Sequence, residues 1–223
     1  MFKGKKLSIL GDSISTYQGV SNDEKTNAML FYNPVFYREP FPLEKTYWML
    51  LINKLGMELC VNNSWSGGNL SDTDNPDSGV NRVRYLATND GGKPDYIIVF
   101  MGINDLGRNV PVDRFEADYT QTLTTIKECY PGAKVCCVNL PDRCPYFKSR
   151  TVLFNQAIDH AVANAGEGFF VADLFGSELN NDVYYDNTLD GLHPAESGAR
   201  MIFEVVADAF ETFSKRLTER NGG

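Results

Sequence analysis

The sequence predicts a doubly wound α/β domain built on a parallel sheet. Three observations carry that expectation: short apolar runs that are continuous, helical periods lying between them, and polar or glycine-rich clusters that follow several of the runs. A strand buried on both faces needs apolar side chains on both, so it loses the alternation of a half-exposed strand. Strands of this kind alternating with amphipathic helices imply helices on both faces of the sheet. In such sheets, ligands gather at the carboxyl ends of the strands.

The first strand is Leu7–Leu10, "LSIL", and it stops abruptly at Gly11-Asp12-Ser13. The segment Tyr17–Pro42 then breaks the rhythm, setting Tyr17, Phe31, Tyr32, Phe36, Tyr37 and Phe41 among polar residues with little period. A connection this long in a compact domain is usually functional or disordered, and its aromatic content opposes disorder. It reads either as an ordered flap near the strand ends or as a surface insertion packed on its own side chains. "PLEKTYWMLLINKL" places Leu43, Tyr47, Leu50, Leu51 and Leu55 at helical spacing. The second strand, Glu58–Val61, leads into "NNSWSGGNL", and the third, Tyr96–Met101, leads into "GIND". A helix over 113–130 presents Phe115, Tyr119, Leu123 and Ile126. The fourth strand is Lys134–Leu140. A helix over 149–165 follows, with Leu153, Ala157, Ile158, Ala161 and Val162 on its apolar face. The fifth strand is Gly168–Ala172. "DGLHP" then precedes a last helix over 194–217, with Met201, Ile202, Val205, Val206, Ala209 and Phe213 as its apolar positions. Pro194 suits the first turn of that helix.

Size and composition narrow the class. A chain of 223 residues with 43% apolar content fits one large domain, here 1–223, with the aromatic insertion at about 17–42. The formal charge of −8 is spread along the chain and would repel a phosphate backbone, so nucleic acid is not an expected partner. No run approaches the roughly 18 apolar residues of a membrane span. The apolar run in "MFKGKKLSIL" is also shorter than the roughly 7–15 residues of a secretory leader core. Cys60, Cys129, Cys136, Cys137 and Cys144 form no CxxC pair, and the chain has 2 histidines, so no metal site is expected. Cys60, Cys136 and Cys137 lie in apolar runs and read as buried thiols, whereas Cys144, in a loop, is the more reactive candidate. An odd, unpaired set of cysteines favours a reducing compartment, and the cytoplasm is the expected location.

The chemistry lies after the strands. A serine at a strand tip is a weak nucleophile until a base stands within hydrogen-bond reach and a further group orients that base. His160 sits in mid-helix and reads as a surface or core residue. His193 stands at a loop-to-helix junction, and Asp190 shortly before it can bond one ring nitrogen and leave the other for the serine. Acyl transfer also develops negative charge on an oxygen, which needs preorganised donors. The amides of Gly67 and Ser13 and the side chain of Asn104 can supply them. Taken singly, each cluster has an ordinary reading: Gly-Asp-Ser as a turn, Asn-Asp as a helix cap, Asp-x-x-His as a surface pair. Their force lies in occurring together at strand ends.

These clusters resemble the blocks of the SGNH hydrolases, the GDSL family of esterases and lipases: "GDSIS", the glycine of "NNSWSGGNL", "GIND" and "DGLH". The resemblance implies a three-layer α/β/α sandwich with a five-stranded parallel sheet. It also implies a Ser13 nucleophile, a His193 base oriented by Asp190, and oxyanion donors from Ser13, Gly67 and Asn104, with no metal and no cofactor. Gly68 is the alternative to Gly67. The long aromatic insertion departs from shorter members and leaves the substrate open. Aromatic rings interleaved with hydrogen-bonding side chains suit a sugar, so an O-acetylated carbohydrate is the first expectation, and a short-chain ester, lysophospholipid or thioester the second. Asp12, Trp65, Tyr37 and Arg143 are candidate substrate contacts, with Asp142 and Tyr146 beside Arg143; Trp65 reads equally as core. A catalytically silent binding module and a flavin or nucleotide binder of similar topology are the alternatives from other classes. The intact triad opposes the first, and the lack of a glycine-rich phosphate loop opposes the second.

Overall fold

The computed structural model describes residues 1–21, 30–32, 41–142, 148–177 and 181–221. Strands β1 (Lys6–Gly11), β2 (Glu58–Ser64), β3 (Tyr96–Phe100), β4 (Lys134–Val138) and β5 (Phe169–Ala172) form one sheet in the order β2-β1-β3-β4-β5, with every neighbouring pair parallel. The helices are α1 (Tyr47–Leu55), α2 (Gly79–Arg82), α3 (Ile103–Gly107), α4 (Val112–Cys129), α5 (Lys148–Ala165), α6 (Asn181–Asp186) and α7 (Glu196–Asn221). The expected α/β architecture with a five-stranded parallel sheet is present.

Strand alternation assigns the two faces. Tyr96 and Phe100 lie on one, where Phe100 meets Tyr47 of α1 at 5.8 Å between ring centroids and Tyr96 meets Phe210 of α7 at 5.5 Å. Cys137, in register with Val99, points the other way, toward Tyr119 of α4. There α4 packs on α5 through Phe115 and Phe154, 4.5 Å apart. The central strands β1, β3 and β4 are buried along nearly their whole length, as their continuous apolar runs require.

Several elements differ from the sequence expectation. β2 runs on through Asn62, Asn63 and Ser64, because neighbouring groups satisfy these polar side chains: Asn62 donates to the Ser15 carbonyl at 2.9 Å, and Ser64 donates to Asn62 at 2.5 Å. The third and fourth strands stop at Phe100 and Val138, earlier than expected, and the fifth begins at Phe169. The helix expected from Pro42 starts as a 3₁₀ turn, Leu43–Lys45, before Thr46 caps α1. Leu153 is 48% exposed and Phe154 takes its place in the core. Pro194 lies before α7 rather than in its first turn, because Thr188 and Pro194 form an antiparallel bridge that holds this stretch extended. Cys136 and Cys137 are buried, but Cys60 is only partly so, since β2 is an edge strand whose outer residues face solvent. The short helices α2, α3 and α6 carry too few residues to show a period. Cys144 lies outside the described residues.

At Gly11, where β1 ends, a Cβ would lie 2.6 Å from the Ser64 hydroxyl and 2.7 Å from the Ser15 Cβ. The Ser15 Cβ moves only with its backbone, and turning the Ser64 hydroxyl away would break its bond to Asn62. Gly11→Ala is expected to lose about 1–3 kcal/mol of stability, the usual range for overpacking, as measured by urea denaturation; an unchanged midpoint would mean that the turn relaxes freely.

Candidate active site

β1 delivers the chain to a single 3₁₀ turn, Ser13–Ser15. Asp12 caps it by accepting the Ile14 N–H at 3.0 Å, and Thr16 donates its hydroxyl to the Ser13 carbonyl at 2.8 Å. Ser13 is thus fixed on the carbonyl side, while its amide has no acceptor among the described residues.

The loop before α7 is braced just as firmly. Asp190 Oδ1 accepts the backbone N–H groups of Leu192 at 3.0 Å and His193 at 2.8 Å, and Leu189 donates to the His193 carbonyl at 2.8 Å. Gly191 has φ +82°, the left-handed region that favours glycine, and a Cβ there would strike the Tyr185 ring at 2.7 Å. This short loop aims both functional side chains one way. His193 Nδ1 donates to Asp190 Oδ2 at 2.8 Å, and the Ser13 hydroxyl lies 2.8 Å from Nε2. An ionised carboxylate only accepts, so it sets the tautomer and leaves Nε2 as the acceptor for the serine proton. Burial, the largest single influence on Asp190, pushes its carboxyl up, but the hydrogen bonds from His193 and Leu192 together outweigh it and hold Asp190 below its ordinary value. Ser13 is 3% exposed and the His193 side chain 12%.

Two other strand ends carry the remaining donor candidates. Asn104 begins near the amino end of α3, just after β3, and its side-chain amide donates to the Gly68 carbonyl at 3.0 Å. An amide carries two hydrogens, so one remains for another acceptor. The Gly68 N–H is spent on the Trp65 carbonyl at 3.0 Å, whereas the Gly67 N–H has no acceptor among the described residues. That difference favours Gly67 over Gly68. What holds this loop against α3 is Asp105, which is fully buried and accepts the N–H groups of Leu70 at 2.8 Å and Ser71 at 2.9 Å. Arg82, also buried, reaches the ends of β1 and β2 together, donating to the Gly11 carbonyl at 3.0 Å and the Asn63 carbonyl at 2.6 Å. Sequence reasoning missed both supports. Asp105 was visible as the last residue of "GIND", whereas Arg82 carried no signal.

The structure gives the remaining candidates different places. Asp12, expected at the substrate, is 1% exposed and committed to its turn, so it offers no surface to a ligand. Trp65 is half-buried directly after β2, with its N–H on the Gly11 carbonyl at 3.2 Å. Asp142 is buried and lies 3.2 Å from Lys148 Nζ. His160 is exposed and pairs with Glu116 across α4 and α5 at 3.5 Å. Tyr37, Arg143 and Tyr146 lie outside the described residues. A cavity of about 920 Å³ runs along the β5 edge against α7 and includes none of Ser13, Asp190 or His193. Among the described residues, no group of three or more His, Cys, Asp or Glu side chains is placed to hold a metal ion. No described helix is long and apolar enough to cross a membrane.

A family model described as GDSL-like lipase/acylhydrolase matches residues 5–171. The matched stretch contains Ser13, Gly67 and Asn104 and ends before Asp190 and His193. No curated protein matches the sequence. Among solved structures, the chain is similar to a protein from Bacteroides ovatus described as a GDSL-like lipase, with 22% identity, TM-score 0.71, and coverage of 96% of this chain and 99% of that one. It is similar to a carbohydrate esterase family 2 enzyme with a carbohydrate-binding domain from Corynascus thermopiles, at 21% identity, TM-score 0.67, and 96% and 68% coverage. A third is the psychrotrophic esterase EstA from a Pseudoalteromonas species, inhibited by monoethylphosphonate, at 17% identity, TM-score 0.60, and 95% and 99% coverage.

Asp12 also makes a pH prediction. Burial pushes its carboxyl up to about 7, against the opposing pull of the Ile14 N–H and the Arg82 charge, and Oδ2 has no partner among the described residues. The folded protein therefore holds a proton that the unfolded chain releases near the ordinary carboxylate value. The stability that Asp12 contributes is greatest below that value and falls as the pH rises toward 7. Asp12→Asn keeps an acceptor for Ile14 and carries no charge. Its stability is expected to fall less than that of the wild type between pH 4 and pH 7, by about 1–4 kcal/mol, in urea denaturation at each pH. Parallel curves would show that Asp12 is ionised in the fold.

Proposed function

Because the chain belongs to the GDSL-like lipase/acylhydrolase family, and so is a serine ester hydrolase, we propose that Ser13, His193 and Asp190 form its catalytic triad and that its substrate is an O-acetyl group on a carbohydrate. The observation that carries the triad is the unbroken line from Asp190 Oδ2 to His193 Nδ1 and from His193 Nε2 to Ser13 Oγ, with 2.8 Å at each step.

The mechanism follows from that line. As Ser13 Oγ attacks the ester carbonyl carbon, its proton passes to His193 Nε2, and Asp190 stabilises the imidazolium that results. The carbonyl oxygen takes the negative charge and is met by the Ser13 and Gly67 amides and the free hydrogen of the Asn104 amide. When the tetrahedral intermediate collapses, the C–O bond to the alcohol breaks, and His193 gives the alcohol oxygen the proton. Water then attacks the acyl carbon, losing a proton to His193; the C–O bond to Ser13 breaks, His193 returns the proton to Ser13 Oγ, and the acid leaves. Arg108 lies beside Gly67, its guanidinium 3.6 Å from where a Cβ at Gly67 would stand.

The carbohydrate reading draws support from half-buried Trp65 and Arg108 beside the donor loop, an aromatic face and a hydrogen-bonding cation of the kind that suit a sugar. The carbohydrate esterase named above is consistent with it but, at 21% identity, speaks to the fold. A second reading, a short-chain ester, lysophospholipid or thioester, draws on Phe31, whose ring lies against the His193 imidazole and makes that side apolar.

The test is hydrolysis of nitrophenyl esters from acetate to palmitate alongside acetylated xylose, with wild type, Ser13→Ala and Asn104→Ala. Ser13→Ala is expected to lose at least about 10³-fold in kcat, and Asn104→Ala about 10²–10³-fold. Full activity in Ser13→Ala would remove the triad. Rates that rise with acyl length, with no release of acetate from the sugar, would overturn the carbohydrate reading.

A further inference from the structure

The described part of the aromatic segment lies on the site. The Phe31 ring lies flat on the His193 imidazole, with centroids 3.3 Å apart and planes 13° from parallel. The Phe31 N–H donates to Thr16 Oγ1 at 3.1 Å, and the same hydroxyl donates to the Ser13 carbonyl. Tyr32 is 3% exposed, packs between Phe31 and Phe41, and donates its hydroxyl to the carbonyl of Pro194 at 2.8 Å. Leu30–Tyr32 is thereby attached at one end to the serine turn and at the other to the histidine loop.

That attachment has a mechanical consequence. Hydrogen bonds at Nδ1 and Nε2, together with the Cβ–Cγ bond, set the mean plane of the imidazole, but hydrogen bonds bend easily and leave the ring a residual roll. A ring pressed on one face removes the roll and keeps water off that face. It also discriminates between charge states. Two neutral rings stacked face to face oppose one another's quadrupoles, whereas an imidazolium over a phenyl face is attracted. The contact is most favourable once His193 holds the proton from Ser13, and only interactions that strengthen toward the transition state accelerate the step.

We propose that Phe31 is a positioning residue for His193, locking the roll of the imidazole within the Ser13–His193–Asp190 line and shielding one face of the base. The role in turnover rests on the ester-hydrolase mechanism above; the locking of the ring does not. Phe31→Ala is expected to lower kcat for an acetyl ester by about 10–100-fold, the scale of a misplaced catalytic group, with KM little changed. Phe31→Tyr restores the aromatic face and is expected to restore kcat. Phe31→Leu keeps the apolar volume and the fold but is expected to resemble Phe31→Ala. An activity-independent readout comes from proton NMR. With His160→Asn, His193 is the remaining histidine of 2, and its Nδ1 proton on Asp190 is expected as a sharp low-field resonance that broadens or vanishes in Phe31→Leu. A folded Phe31→Leu with wild-type kcat and an unchanged resonance overturns the proposal. A rise in KM alone also overturns it, making Phe31 a substrate wall. If the wild type hydrolyses no ester, the mechanism fails, and the resonance still decides whether Phe31 locks the ring.

Discussion

Parallel pairing of β1 with β2 on one side and β3 on the other is the constraint from which the site follows. Gly11 stands in register with both Ser64 and Phe100, so the ends of the three strands form one row. Ser13, Gly67 and Asn104 each come within a few residues of that row. Strand ends leave backbone groups without ladder partners, and these must be satisfied by side chains or turned to use. The amides of Ser13 and Gly67 have no acceptor among the described residues, which leaves them open to the second use. The chain leaves β1 toward β2 on one side and later toward β3 on the other, and this divergence opens the crevice in which ligands of such sheets sit.

Buried polar side chains hold the row together. Asp105 and Arg82 lie in the interior, where an unpaired ion would cost several kcal/mol. Each is surrounded by backbone groups of the segments it joins: Leu70 and Ser71 for Asp105, Gly11, Asn63 and Asp77 for Arg82. These bonds are directional and cannot be exchanged for generic packing. Burial pushes the Asp105 carboxyl up against these bonds, and it pushes Asp12, one of whose oxygens has no partner among the described residues, up to about 7. Asp190 differs in the opposite sense, with His193 and Leu192 holding its charge. Carboxylates in one small region are therefore divided between scaffold and chemistry by their surroundings, as acid and base roles in active sites generally are.

The aromatic segment joins what the sheet alone does not. The sheet supplies Ser13, Gly67 and Asn104, but His193 arrives on the loop before α7, far along the chain. Tyr32 bonded to Pro194 and Phe31 seated between Thr16 and His193 couple these parts. This coupling concerns orientation, which a hydrogen-bonded line leaves partly free, and it sets an apolar surface beside the atom that exchanges the proton.

The architecture was legible in the sequence because burial on both faces forces continuous apolar strands, and "LSIL", "YIIVFM" and "VCCVNL" have no other economical use. The reactive clusters were legible because backbone freedom and hydrogen-bond valence confine such chemistry to short local patterns, as in Asp190–His193, where a single loop sets the whole geometry. Long-range relations were not legible. Nothing in the sequence around Arg82 indicates that it reaches the end of β1, and nothing in Phe31 distinguishes it from the other aromatic residues of its segment. Asp12 read as a binding residue because adjacency to Ser13 in sequence suggests adjacency to substrate, while the turn it caps directs it inward. The sequence by itself determined which elements form and which residues can carry the chemistry, since those depend on local propensity and pattern. The tertiary structure alone decided which donors stay free, which acids are buried and which ring covers the base, since these depend on contacts between segments far apart in the chain.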